Sequence, residues 1–287
     1  MDQLPSYQFG ISEFTTWPWR FEQDVERYAA LSVDTIEVCE FKLDEQRAGE
    51  QLALIASHGL TISSVQPTVR TLFPGRMQPK PSEPSERMAH FRRSIERIAP
   101  FGHDLPFVIN TGNAPKGNIR EVLARAQQEY RTLAGFAQDH GARVALEPLN
   151  ASTMNEESAI WTLQQALRIV EAVDRPNFGV CVDVWNLWQN AEILDQIRAC
   201  GDRNFIVQVS DWQTPRSFAD RYTVGQGVIP LPTLLRAIYD SGYRGPYAVE
   251  IFSQDVPDSL YDGDLHQLIR ANKAGMDAAW REAFGGE

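Results

Sequence analysis

Apolar runs of four to six residues alternate with longer stretches of helical periodicity along almost the whole chain. The runs are too short for helices and too continuous for half-exposed strands, so they read as strands buried on both faces. They fall at residues 7–13, 35–40, 60–66, 107–112, 144–150, 178–183, 205–211 and 247–250. Between them the spacing predicts helices over residues 21–31, 44–58, 85–99, 118–139, 158–173, 191–200, 231–241 and 263–283. The clearest is 118–139, where Val122, Ala126, Tyr130, Leu133 and Ala137 recur on one face. Glycines at 59, 201 and 242 stop three of the helices, and Ser85 is placed to cap the third. Strand–helix alternation implies a parallel sheet. Eight such units without a composition break favour α/β architecture as a single (β/α)₈ barrel, one domain over residues 1–287.

Residues 67–84 interrupt this rhythm, with five prolines, three basic side chains and no periodicity. A loop that long in a compact domain is expected to be a lid or a mobile segment. Gly225-Gln226-Gly227 lies between the seventh strand and its helix, out of the context a dinucleotide fingerprint requires.

The chemistry sits at the ends of the last four strands. The apolar runs end in Glu147, Asp183, Gln208 and Glu250. In a (β/α)₈ barrel these ends converge at the C-terminal face, where active sites are built. One carboxylate there could cap a helix or pair with an arginine. Three together would repel strongly in a poorly solvated pocket unless a cation compensated them. Three carboxylates and one amide oxygen, with no Cys or His, suit Mn²⁺ or Mg²⁺, with Co²⁺ admissible and Zn²⁺ less favoured.

Composition narrows the function. The formal net charge is -11 over 287 residues, without a dense Lys/Arg cluster, which argues against nucleic acid as a partner. No apolar stretch reaches membrane-spanning length, and the N-terminus lacks the basic and apolar regions of a signal peptide. The three cysteines, Cys39, Cys181 and Cys200, read as reduced thiols, and the expected location is the cytoplasm.

Leu146-Glu147-Pro148, Val182-Asp183, Val207-Gln208-Val209-Ser210-Asp211, Gly225-Gln226-Gly227 and Val249-Glu250 together resemble the xylose isomerase-like barrels. These are sugar isomerases, epimerases and dehydratases that share a fold with endonuclease IV. The resemblance covers nearly the whole chain and implies one divalent metal held by Glu147, Asp183, Gln208 and Glu250. It also implies that Glu147 and Glu250 act as acid and base on opposite faces of a ketose or keto-polyol. Proton abstraction α to the carbonyl would give an enediolate stabilised by the cation. Returning the proton elsewhere gives epimerisation or isomerisation. Expulsion of a β-substituent would make the protein a lyase acting on an inosose, a 3-dehydroshikimate or a 3-keto-glycoside, the alternative reading. A non-catalytic sugar-binding barrel is a third, weakened by the intact ligand set. Two departures stand out. Many members carry His where this chain has Gln208, and another His where it has Asn186. With five His in the chain and none among the four ligands, the DNA-repair chemistry of endonuclease IV is not expected. By the same resemblance the protein is expected to be a homo-dimer or tetramer.

For substrate binding the candidates are Glu37, Asn186, Arg216, Arg221, Trp17 and Trp185, with Trp19, Trp188 and Trp212 also in strand-end loops. Asp211 is expected to orient Gln208 or its neighbouring loop. His103 precedes the fourth strand and is expected on the opposite face.

Overall fold

A computed structural model describes residues 4–154, 156–213, 220–254 and 256–285. Eight parallel strands, β1 to β8, close into a barrel in chain order, β8 pairing back onto β1. They are Phe9–Ser12, Thr35–Cys39, Thr61–Gln66, Leu105–Ile109, Ala142–Leu146, Phe178–Asp183, Asn204–Val209 and Tyr247–Val249. Helices α1 (Phe21–Ala30), α2 (Ala48–Ser57), α3 (Pro84–Ile98), α4 (Ile119–Asp139) and α5 (Leu163–Val173) surround the first five strands. After β6 come a one-turn helix α6 (Val184–Leu187) and then α7 (Ile193–Cys200), α8 (Leu231–Asp240) and α9 (Leu265–Phe284). No helix among the described residues is long and apolar enough to cross a membrane.

Burial on both faces explains the unbroken apolar runs. Side chains alternate across a strand, so one set meets the helices and the other fills the barrel. Phe107, Val144, Val180 and Val207 belong to the outer core, whereas Val108, Ala145, Cys181 and Ile206 form a separate small cluster. Two residues further on, the same inward set becomes Asn110, Glu147, Asp183 and Gln208. The apolar plug thus sets the floor beneath a polar layer.

Two helix starts differ from the sequence-based expectation. Pro84, not Ser85, opens α3 as its first residue, where the missing N–H costs nothing. α5 begins at Leu163 rather than 158. The Thr162 hydroxyl accepts from the Gln165 N–H at 3.2 Å and the Gln165 carbonyl oxygen accepts from the Thr162 N–H at 3.0 Å, a capping box. Ala159 carried the apolar periodicity backwards, but it is buried in a turn whose N–H bonds the Thr111 hydroxyl at 2.8 Å.

Residues 67–84 form an ordered strap over the C-terminal face. Leu72 and Phe73 donate backbone N–H groups to Asn110 and Thr111 at 3.0 and 2.9 Å. The strap passes so close to Gly112 that a Cβ there would lie 1.8 Å from the Phe73 carbonyl oxygen. Its anchor is Arg87, fully buried on α3, which donates to the carbonyls of Thr71 (2.7 Å), Gln78 (3.1 Å) and Pro81 (2.8 Å).

Candidate active site

Glu147, Asp183 and Glu250 each direct a carboxylate oxygen to one place, all within 4.8 Å of one another and all buried. Each follows from its strand end. Glu147 donates its N–H to Ile109 at 2.9 Å, and Glu250 its N–H to Val209 at 3.0 Å, so both are held by the last rungs of the ladder. Asp183 caps α6, accepting the Trp185 N–H at 2.9 Å.

Neighbouring donors fix the carboxylates. Arg221 bridges two of them, at 2.8 Å to Asp183 Oδ2 and 2.8 Å to Glu250 Oε2. Asn186 donates its amide to Glu147 Oε1 (3.0 Å) and Asp183 Oδ2 (2.6 Å). It therefore bonds the carboxylates directly, while its own carbonyl oxygen accepts the Asn150 N–H. Asn110 donates to Glu147 Oε2 at 3.1 Å.

Gln208 is placed differently from its carboxylate neighbours. Its oxygen accepts from the Cys181 thiol at 3.1 Å, and its nitrogen donates to Glu37 (2.9 Å) and Glu250 Oε1 (2.9 Å). To offer oxygen to the carboxylate cluster the amide would have to turn over. Glu37 is fully buried in this lower tier, held by Ser64 (2.6 Å) and Gln208 rather than lining the cavity.

Burial, reinforced by the charge of Asp183, pushes Glu147 up to about 7. Burial also raises Asp183 and raises Glu250 well above the usual carboxylate range, against the pull of Arg221. Burial works against the Arg221 charge, yet Asp183, Glu250 and Glu147 outweigh it and hold the guanidinium more firmly protonated.

A cavity of about 300 Å³ opens above the cluster, at the lower end of the usual range for small-molecule sites. Trp185, Phe14, Phe252 and Leu149 supply its apolar walls, and strap residues Arg70 and Gln78 reach into it. Arg221 lies 4.9 Å from the rings of both Trp185 and Phe252. Trp17 is not in this wall. It stacks on Phe14 at 6.2 Å, meets Phe41 tilted at 4.7 Å, and is 40% exposed. Arg216 lies outside the described residues.

Asp211 organises the loop after β7, not Gln208. Its carboxylate accepts backbone N–H groups of Trp212, Gly225, Gly227 and Ile229 at 2.8 to 3.0 Å. Gly227 is required there, because a Cβ would lie 2.3 Å from Asp211 Oδ1. His103 is 95% exposed beside Asp104, just before β4 and away from the cluster.

Asn110, Gln66 (which lines the cavity and donates its amide to Glu250 Oε1 at 3.3 Å) and Arg70 were not singled out by sequence. The first two were detectable as polar residues at the ends of β4 and β3. Arg70 was not, since nothing in an aperiodic loop says where it points.

The sequence matches the profile of the xylose isomerase-like TIM barrel family over residues 25–278. Among curated relatives, an inosose isomerase of Bacillus velezensis is 31% identical over 58% of this chain and 59% of its own length. An L-ribulose 3-epimerase of Methylomonas sp. is 27% identical over 54% of this chain and 51% of its own. The chain thus spans little more than half the length of these relatives. A crystal structure of the IOLI protein with a zinc atom superposes with a TM-score of 0.80 at 20% identity, covering 97% of this chain and 100% of that one. At that identity the likeness speaks to the fold alone. A family match across most of the chain, on a closed eight-stranded parallel barrel, means that this protein belongs to the xylose isomerase-like TIM barrel family.

Proposed function

We propose that this chain is a divalent-metal-dependent isomerase or epimerase of a small ketose or keto-polyol, working by proton transfer α to a carbonyl. The observation that carries the reading is the cluster of three buried carboxylate oxygens within 4.8 Å, at the floor of a cavity sized for a small molecule. Three carboxylates offset by one guanidinium leave an excess negative charge equal to that of one divalent cation. The donors are oxygen only, which favours Mn²⁺ or Mg²⁺, with Co²⁺ admissible. Glu147, Asp183 and Glu250 would hold the ion, and Gln208 would join them with its amide turned over. The zinc atom of the IOLI structure and the isomerase and epimerase names of the relatives support the same class.

A bound dication would polarise the substrate carbonyl and so acidify the adjacent C–H. The chain's own groups do the rest. Glu147, buried at the floor of the cavity, accepts and returns the proton. Glu250 comes from the strand three places further round the barrel and offers a second carboxyl to the same space. Asn186 and Asn110 fix the two oxygens of Glu147, so its basic lone pairs are aimed rather than free to rotate. Arg221 bonds both Asp183 and Glu250 and offsets part of their charge. Trp185, Phe14 and Phe252 keep bulk water from the abstracted proton. Return of the proton to the opposite face gives an epimer, and to the neighbouring carbon an isomer.

The test combines metal content with solvent deuterium uptake by a panel of ketoses. About one ion per chain and exchange at the carbon beside the carbonyl are expected, with exchange lost in Glu147→Gln and Glu250→Gln. Absence of bound metal after equilibration with Mn²⁺, or full exchange in both variants, would end this reading.

A further inference from the structure

The cavity is electrically polarised. Its floor holds the carboxylate cluster, and its roof, the strap, holds arginines. Arg70 lines the cavity and is half-buried, yet among the described residues its guanidinium makes no hydrogen bond and no ion pair. Its one recorded side-chain contact is with the Phe14 ring, 5.5 Å from the centroid. Such a contact supports the flat group but takes none of its five N–H donors. The acidic residues of the roof are committed elsewhere. Glu156 pairs with Arg76 at 2.9 Å, and Glu157 accepts the Met77 N–H at 2.5 Å. Burial raises the Glu157 carboxyl against the pull of Arg70 and Arg76, so it offsets the Arg70 charge only in part and makes no hydrogen bond to it. Behind Arg70, the buried guanidinium of Arg87 is bonded to backbone carbonyls, the Thr71 hydroxyl and the Gln78 amide oxygen, with no carboxylate on it. Its positive charge therefore also bears on the roof.

We infer that the substrate is a keto acid: a ketose or keto-polyol with a carboxylate at the end remote from the reacting carbonyl, held by Arg70. This rests on the function proposed above. A neutral polyol would leave most of the Arg70 donors unmet in a partly desolvated site. A carboxylate meets two of them at once in the planar fork geometry. The negative floor repels that carboxylate, so the molecule enters in one orientation, with its carbonyl down and its anion up. The volume of about 300 Å³ restricts it to a single sugar-sized unit. One guanidinium matches one carboxylate; a phosphate dianion would call for further donors.

The experiment is calorimetric titration of the Mn²⁺-loaded protein with D-fructose, its 6-carboxylate counterpart D-fructuronate, and fructose 6-phosphate. Wild type, Arg70→Gln and Glu147→Gln are compared, with circular dichroism as the check on folding and metal content read separately. Wild type is expected to prefer fructuronate over fructose by about tenfold or more, the scale of one charge-assisted hydrogen-bonding contact. Arg70→Gln should bring the two within about threefold, whereas Glu147→Gln should retain the preference. Equal affinities in wild type, a preference that survives Arg70→Gln, tighter binding of the phosphate, or no binding of any of the three would overturn the inference. Deuterium exchange of the bound ligand is read separately. A carboxylate preference without exchange would sustain the role of Arg70 and strike the proposed reaction. Exchange on neutral ketoses without a carboxylate preference would do the reverse.

Discussion

Replacing Glu147 by Gln should stabilise the metal-free protein at alkaline pH while abolishing its chemistry. Burial and the adjacent Asp183 raise this carboxyl from 4.5 to about 7. The folded state therefore holds the proton more tightly than the unfolded chain does. Stability is greatest below about pH 4.5, falls as pH rises towards 7, and is level above that. At 1.36 kcal/mol per pH unit, the full penalty for ionised Glu147 is about 3 kcal/mol. Glutamine carries no charge and escapes it. It also sets an NH₂ group against the amide donor of Asn110 or Asn186, which costs about 1–2 kcal/mol. The variant should thus exceed wild type by about 1–2 kcal/mol at pH 8.5. Between pH 8.5 and 5.5 wild type regains about 2 kcal/mol, and the order should level or invert. The assay is urea and thermal unfolding of EDTA-treated protein, where a 2 kcal/mol swing moves Tm by about 4 °C. Saturating Mn²⁺ should then favour wild type at pH 8.5, because binding to the folded state adds about 2.7 kcal/mol at a hundredfold excess over Kd. A stability difference that stays the same at both pH values would refute the reasoning, since it would mean that Glu147 carries no burial penalty.

Arg221→Met removes the cation between Asp183 and Glu250 and leaves both buried without it. A loss of about 3–5 kcal/mol in urea unfolding is expected, partly restored by Mn²⁺. Arg87→Met strips the strap of its bonds to Thr71, Gln78 and Pro81. It should cost at least ~2 kcal/mol and speed tryptic cleavage at Arg70 or Arg76; unchanged cleavage would show that the strap holds without it. Gly227→Ala drives a Cβ to 2.2 Å from the Trp212 carbonyl oxygen and 2.3 Å from Asp211 Oδ1. It should destabilise by about 1–3 kcal/mol, seen as a lower Tm, and an unaltered Tm would mean that the loop after β7 can re-form around the methyl group.

The barrel and its carboxylates could be read from sequence for one shared reason. A strand buried on both faces must be apolar throughout, so the first polar residue at its end is conspicuous. The period of two then aims that residue inward, above Ala145 for Glu147 and above Cys181 for Asp183. Glu147, Asp183 and Glu250 were found this way. Hydrogen-bond direction cannot be read so. Gln208 occupies a strand end like the others, but its oxygen is turned to the Cys181 thiol and its nitrogen to Glu37 and Glu250. That choice depends on neighbours brought from β2, β6 and β8. Asp211 was expected to orient Gln208 or the neighbouring loop; it serves the loop, gathering backbone N–H groups from as far along the chain as Ile229. Helix starts failed where a buried turn imitated helical spacing, as Ala159 did before Thr162.

The roof was the least legible part, and its cause differs from theirs. Residues 67–84 have no period because the strap is held by one short backbone pairing with Asn110 and Thr111 and by scattered side chain to backbone bonds, rather than by a full strand or a helix. Three of those bonds are donated by Arg87, on the following helix. Arg87 and Arg70 have no carboxylate bonded to them there, and Glu157 offsets their charge only through space, so an anion in the cavity would be favoured. The floor has the opposite need, three carboxylates with one guanidinium and room for a dication. Floor and roof therefore each lack a charge that the described residues do not supply. A cation below and an anionic substrate above would satisfy both, and would fix which end of the substrate faces Glu147.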